Sequence, residues 1–432
     1  MNDFEFLYNP PRKDWTKLCA RPVNEQEDLS ALCKQVFDEV EANQDKALLN
    51  LTERFDGVKL DSIYATDLEL SRAASLVESQ LVLAINQAYS NIYKFHKAQK
   101  PQTVEVETMP GVVCRQEYRP IERVGLYIPG GSASLFSTLL MLAIPAKLAG
   151  CSEIILTTPP LKDGSIPPAV AYVAQLCGIS QVLKLGGVQA IAALALGTEQ
   201  TKPVYKIAGP GNQYVMAAKD YAVQLGLAID LPAGPSEVLV IADASANPKF
   251  IAADLLSQAE HGPDSQVIFL TTSEDLLERT FDALKELLVG LNRKEIIKQS
   301  LKSARFIYFN TLQECLKFSN AYAPEHLILA LEQADNYSSL VSNAGSVFLG
   351  HLTPESAGDY ASGTNHTLPT KGYARSYGGV CVATFLKKVT FQKISQQGLD
   401  LLAPTIETMA KAEGLEAHAL AATLRKTKGG KL

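Results

Sequence analysis

Val124-Gly125-Leu126-Tyr127-Ile128-Pro129-Gly130-Gly131 reads as a short apolar strand closed by a proline and two glycines, and an apolar stretch around Leu139 to Ala149 follows it. A strand without a polar face, a Gly-rich turn and a helix form the repeating unit of a parallel sheet covered on both sides. Outward from it the unit recurs. Strands are expected at Val124 to Ile128, Ile154 to Thr158, Val182 to Leu185, Val204 to Ile207, Val238 to Ala242, Val267 to Thr271, Ile307 to Phe309, Leu327 to Leu329 and Val347 to Leu349. Helical stretches separate nearly all of them, which gives an α/β fold class with doubly wound parallel sheets. About nine strands suit two smaller sheets better than one. Leu29 to Val40 and Leu68 to Ala98 precede this region with apolar residues at helical spacing, and the chain turns helical again near its C-terminus.

At 432 residues and 47% hydrophobic content the chain can bury two cores. A formal net charge of -6 and a pI near 5.7 give no basic footprint for nucleic acid. The seven cysteines (Cys19, Cys33, Cys114, Cys151, Cys177, Cys315, Cys381) include no C-x-x-C pair, and their odd number argues against a disulfide framework. Met1-Asn2-Asp3-Phe4-Glu5 is acidic and leads into Asn9-Pro10-Pro11, unlike a signal or transit peptide. The longest apolar stretch contains Pro145 and Lys147 and is too short to span a bilayer, so a cytoplasmic protein is expected. Arg425-Lys426-Thr427-Lys428-Gly429-Gly430-Lys431 reads as a solvated basic end.

Two segments carry chemistry. Gln258-Ala259-Glu260-His261-Gly262-Pro263-Asp264 and Ala323-Pro324-Glu325-His326 set histidines beside carboxylates or an amide, next to a proline that bends the backbone. Histidine is the commonest metal ligand and titrates near neutral pH, so a metal site and a proton-transfer group are suggested; hydrogen-bonded surface histidines are the plainer alternative. Gln258 and His261, three apart at the end of the helical run from Phe250, leave from one face and can share an ion. Asp359, in the polar loop from Ser356 to His366, is a candidate third ligand, and His418, in Glu413-Gly414-Leu415-Glu416-Ala417-His418, a candidate fourth. Gly209-Pro210-Gly211-Asn212-Gln213-Tyr214 begins like a G-x-G-x-x-G fingerprint, with Tyr214 in place of the third glycine. Gly130-Gly131-Ser132 and Gly186-Gly187 also follow strands and precede helices, which makes three turns whose N–H groups could meet a pyrophosphate.

These segments, together with Gly186-Gly187-Val188-Gln189-Ala190 and Pro232-Ala233-Gly234-Pro235-Ser236-Glu237, give a sequence that resembles the histidinol dehydrogenase family from about Arg123 to Arg425. The resemblance implies two incomplete Rossmann-like domains in each subunit of a homodimer. It places an N-terminal arm at 1–24, a domain with the zinc and substrate site at 25–126 and 236–380, an inserted NAD-binding domain at 127–235 and a helical C-terminal tail at 381–432 that reaches the partner subunit. It implies zinc held by Gln258, His261, Asp359 and His418, one ion per subunit, and NAD contacted by Tyr127, Gln189 and Asn212. His326 is then the general base and Glu325 activates the water that attacks an aldehyde. Ser236, Gln258, His261, His326, Asp359, Glu413 and His418 would touch L-histidinol, oxidised to L-histidine with two NAD. Glu413 and His418 would diverge by about 140° on one regular helix. They meet one substrate only if a helix starts between them, as Gly414 permits.

Other conspicuous residues read as structural. His351 and His366 suit loop hydrogen bonding, His96 suits a cation at a helix C-terminus, and Trp15 with Pro10-Pro11 suits packing of the arm. Cys114 and Cys151 fit buried inert thiols better than a thiohemiacetal nucleophile. A zinc hydrolase would use the metal and a carboxylate but leave the Gly-rich turns idle. A dehydrogenase of another amino alcohol, or a binding protein that has lost catalysis, completes the alternatives.

Overall fold

A computed structural model describes residues 6–21, 29–130, 135–232 and 234–426. In chain order its strands are β1 (Phe6–Tyr8), β2 (Val104–Met109), β3 (Val112–Pro120), β4 (Arg123–Tyr127), β5 (Glu153–Thr158), β6 (Gln181–Lys184), β7 (Lys206–Ala208), β8 (Ala228–Ile229), β9 (Glu237–Ala242), β10 (Gln266–Thr271), β11 (Arg305–Tyr308), β12 (His326–Ala330), β13 (Ser346–Leu349) and β14 (Leu386–Ile394). A six-stranded sheet runs β1-β11-β10-β9-β12-β13 and a five-stranded sheet runs β6-β5-β4-β7-β8, all pairings parallel. All nine expected strands are present, divided between these two sheets.

The central strands β9, β10 and β12 are buried at every position, as a sheet covered on both faces requires. The alternation of side chains assigns Val238, Val240 and Ala242 to one core and Leu239 and Ile241 to the other. Around the five-stranded sheet the Phe136–Ala149 and Gly187–Leu196 helices are buried nearly all round. A helix with no polar face needs a further layer. The Ser79–Ala98 helix supplies it on one side, and Phe37, Leu48 and Leu51 of the Ser30–Asp56 helix on the other. These leading helices therefore pack with the five-stranded sheet, of which β4 is the middle strand, and the Ser79–Ala98 helix also meets Ala361 and Asn365 of the later segment.

Three more features depart from expectation. The Leu68 to Ala98 stretch is two helices, Asp67–Ala74 and Ser79–Ala98, because the backbone is extended at Glu78 (φ −62°, ψ 142°); a Thr66–Glu69 capping box opens the first. The C-terminal segment from 381 is not helical throughout: β14 pairs antiparallel with β3, which pairs with β2, before the Gln396–Ala412 and Glu416–Thr423 helices. The arm adds β1 to the edge of the six-stranded sheet, and Trp15 packs edge-on against Phe309 and Phe318. Gly131, Ser132, Ala233 and the basic end beyond Lys426 lie outside the described residues. No helix among the described residues is long and apolar enough to cross a membrane.

One glycine is required by contact. Gly209, after β7, has φ +136°, and a Cβ there would sit 2.1 Å from the Tyr127 carbonyl oxygen. Gly209→Ala should therefore destabilise the fold by about 1–3 kcal/mol. A lower urea midpoint by circular dichroism checks this, and an unchanged midpoint would show that the turn relaxes.

Candidate active site

The Leu312–Tyr322 helix ends at Ala323, which takes the left-handed conformation (φ 57°), and Pro324 then turns the chain into β12. His326 is thereby the first residue of β12, beside β9. Gly345 lets the neighbouring chain come in close, since a Cβ there would lie 2.6 Å from the Glu325 carbonyl oxygen. The Glu237 N–H donates to Glu325 Oε2 (2.9 Å), and the Glu237 carbonyl lies 3.2 Å from His326 Nδ1. Carbonyls only accept, so this contact assigns a proton to Nδ1.

Three further segments close on this pair. Gln258 ends the Pro248–Ala259 helix, with its amide NH2 toward Glu355 and its oxygen accepting from the Glu237 N–H at 3.1 Å, the orientation that satisfies both neighbours. His261 lies just past that helix, its N–H donating to the Gln258 carbonyl. The short Glu355–Tyr360 helix presents Glu355 and Asp359 four residues apart on one face. Glu355 Oε1 is 3.5 Å and Glu325 Oε2 3.6 Å from His326 Nδ1, Asp359 Oδ1 is 3.5 Å from His326 Nε2, and Asp359 Oδ2 is 4.0 Å from His261 Nε2. The Asp359–Nε2 approach is a charge contact without hydrogen-bond alignment, so buried Nε2 has no hydrogen-bond partner.

Three carboxylates thus surround one buried imidazole. Burial raises Glu325 to about 8, against the pull of His326, and raises Glu355 well above the usual carboxylate range. Burial would lower His326, but the charges of Glu325, Glu355 and Asp359 prevail and hold it at about 10. Burial would likewise raise Asp359, yet its contact with His326 keeps it low. With all three carboxylates ionised, one imidazolium would not balance the set, which the raised Glu325 and Glu355 reflect, whereas a divalent cation would. One ligand atom from each of His326, Glu355 and Asp359 lies within 4.8 Å of the others, so the donors fit a metal.

The expected residues fall in three places. Gln258, His261, Asp359, Glu325 and His326 converge here, and Ser236 adjoins Glu237. Tyr127, Gln189 and Asn212 stand at the carboxyl edge of the five-stranded sheet, at the end of β4 and after β6 and β7. Tyr127 is buried, its phenol pushed up to about 12 by burial, and its oxygen accepts the Gly187 N–H (3.2 Å). The Gln189 amide donates to Asp56 Oδ2 (3.2 Å), and Asn212 Oδ1 caps the Gln213–Gln224 helix through the Tyr214 and Val215 N–H groups. Glu413 and His418 are exposed on the C-terminal helices, separated by Gly414 at φ +73°, and no hydrogen bond or ion pair joins either to the His261 group among the described residues.

Glu355 and Glu237 are absent from the sequence-based set. The i, i+4 spacing of Glu355 and Asp359 is a usable signal for the first; Glu237 acts through its backbone and leaves none. His96 differs from expectation: it is fully buried, burial holds its pKa down, and it is a neutral link from the Ile92 carbonyl (2.9 Å) to Asn365 (3.2 Å), not a cation at a helix end. His351 contacts Ser245 Oγ at 3.0 Å, and His366 joins Thr138 Oγ1 (3.0 Å) to the Asp359 carbonyl (2.7 Å).

The family model for histidinol dehydrogenase matches residues 19–426. The chain belongs to the histidinol dehydrogenase family. A histidinol dehydrogenase of Bacteroides thetaiotaomicron is 52% identical over 96% of this chain and 97% of its own length, and one of Aliivibrio fischeri is 51% identical over 93% and 91%. The crystal structure of histidinol dehydrogenase from Elizabethkingia anophelis superposes with a TM-score of 0.96 at 53% identity, covering 98% of each chain. The chain is therefore an oxidoreductase of histidine biosynthesis, and a hydrolase on this scaffold is set aside.

No cysteine shares a hydrogen bond or ion pair with the Glu325–His326 group among the described residues. Burial pushes Cys151, Cys177 and Cys315 to about 12. At pH 8 about one part in ten thousand of each is thiolate. Iodoacetamide should leave these three unmodified in the native protein, as read by mass spectrometry, and a Cys114→Ala, Cys151→Ala variant should keep its oxidoreductase activity. A folded but inactive double variant would revive the thiohemiacetal route.

Proposed function

We propose that the chain oxidises L-histidinol to L-histidine through L-histidinaldehyde, with zinc bound and two NAD consumed, as the last step of histidine biosynthesis. The observation that carries this is the buried Glu325–His326 pair, with Nε2 unpartnered beside Asp359 and His261. The proton assigned to Nδ1 leaves Nε2 to take the proton of the substrate alcohol, and later that of the hydrated aldehyde. Glu325, raised to about 8, can exchange a proton near neutral pH and activates the water that attacks the aldehyde. Ser236, Gln258, His261, His326 and Asp359 hold the substrate from one chain, and Glu413 and His418 reach it from the partner subunit.

Zinc held by Gln258, His261, Asp359 and His418 of the partner subunit would orient the amine and imidazole of the substrate and offset the carboxylates that otherwise keep His326 protonated. NAD held at Tyr127, Gln189 and Asn212 would supply the hydride acceptor, and the four-electron change from alcohol to carboxylate calls for two.

Purified protein with zinc, NAD and L-histidinol should produce two NADH per histidinol, followed at 340 nm, and other amino alcohols should react more slowly. His326→Ala should slow both oxidations by about 10²–10⁴-fold, whereas Glu325→Gln should chiefly slow the oxidation of supplied histidinaldehyde. No NADH with histidinol overturns the substrate assignment, and equal losses of both steps in Glu325→Gln remove the separate roles.

A site completed by the partner's tail predicts complementation. His261→Asn and His418→Ala should each lose zinc and activity while circular dichroism is preserved. Subunit exchange between them then leaves one site with both lesions and one with neither, returning up to about half the wild-type activity per heterodimer. Exchange proven by mass spectrometry without recovered activity would place His418 within its own chain or off the metal.

A further inference from the structure

Glu237 is the residue that Glu325 and His326 share: its N–H donates to Glu325 Oε2 at 2.9 Å and its carbonyl meets His326 Nδ1 at 3.2 Å. Its own carboxylate is 1% exposed and is held by the N-terminal arm. Arg21 grips it with both prongs, Nε to Oε1 at 2.9 Å and Nη2 to Oε2 at 2.8 Å. The Lys371 N–H adds a third bond to Oε1 at 2.8 Å. The Arg21 guanidinium lies over the Tyr322 ring at 3.8 Å, and Nη2 also donates to the carbonyls of Tyr322 (2.9 Å) and Ala323 (3.4 Å). Ala323 is the left-handed residue from which the chain turns into Pro324-Glu325-His326.

One side chain therefore fastens the two backbone segments that carry Glu237 and Glu325–His326, β9 through Glu237 and β12 through Tyr322 and Ala323. We propose that Arg21 is a positioning residue, by which the N-terminal arm sets the geometry of Glu325 and His326. A planar fork is needed here, because it must satisfy a carboxylate at two points, stack on a ring and reach two carbonyls at once. An ammonium supplies the charge without the fork. Misplacing the imidazole costs rate, while substrate and cofactor contacts elsewhere are left as they were.

The proposal rests on the histidinol-oxidising function above, and the kinetics separate the two. Arg21→Lys should keep the fold, the zinc stoichiometry and the KM values for histidinol and NAD, with kcat lower by about ten- to a hundredfold. Arg21→Met leaves Glu237 buried and unpaired and can unfold, so the paired variant Arg21→Met, Glu237→Gln removes the charge while keeping the backbone donor and acceptor of residue 237. That variant should fold by circular dichroism and still show the low kcat with unaltered KM. Wild-type kcat in Arg21→Lys or in the folded paired variant overturns the proposal, since charge or stability alone would then account for Arg21. A wild-type protein inactive on histidinol overturns the functional reading and this proposal with it.

Discussion

Three carboxylates gathered about one buried imidazole are the constraint around which this end of the molecule is arranged. A carboxylate taken out of water without a donor or counter-charge is costly, and neighbouring carboxylates make it worse. The protein answers with fixed donors: the Glu237 N–H serves Glu325 and the Gln258 amide serves Glu355. Asp359 has the side chains of His326 and His261 at ion-pair distance. The charge left over defines a place for a cation better than any one ligand does. It also explains why Glu237, whose side chain faces away, is locked so firmly: a shift of β9 would strip Glu325 of its donor.

The two sheets offer opposite edges to chemistry. In the five-stranded sheet the turns after β4, β6 and β7 lie at the carboxyl edge, where helix N-termini begin at Gly187 and Gln213 and favour anions. In the six-stranded sheet the site is at the amino edge, where β9 and β12 start and the Pro248–Ala259 helix ends. Helix C-termini favour cations. The charge cluster thus lies opposite to the carboxyl edge at which open α/β sheets usually receive a ligand. The difference follows the charge: the negative end of a helix suits a cation and the positive end an anion.

Much of this was legible in the sequence because buried parallel strands write themselves as apolar runs bounded by glycine or proline, as Val124 to Gly131 does. Strand order is not written that way, so nothing in the residues says that β9 and β12 are neighbours, or that Glu237 lies against His326. The antiparallel β2-β3-β14 sheet is hidden in the sequence for another reason. Val104-Glu105-Val106-Glu107 alternates cleanly, but both its faces are exposed, so no buried run marks it. The packing of the leading helices depended on how completely the helices beneath them are buried, which is a tertiary property. Resemblance supplied the ligand set, and the convergence of Gln258, His261 and Asp359 is compatible with it; Glu355 came only from the folded chain.

The Asp359 segment depends on the other sheet for its position. His366 Nδ1 faces a carbonyl, that of Asp359, so this nitrogen carries the proton and Nε2 accepts from the Thr138 hydroxyl. His96 Nδ1 likewise faces the Ile92 carbonyl, which leaves Nε2 to accept from Asn365, whose amide also reaches the Met141 carbonyl. Each imidazole must be neutral to donate at one nitrogen and accept at the other, and burial, by lowering both pKa values, keeps it so. Thr138 and Met141 belong to the Phe136–Ala149 helix, which follows the Gly130 turn of the five-stranded sheet. A displacement of that helix would therefore be carried through His366 to the backbone of Asp359, so the five-stranded sheet and the charge cluster are joined through two uncharged histidines.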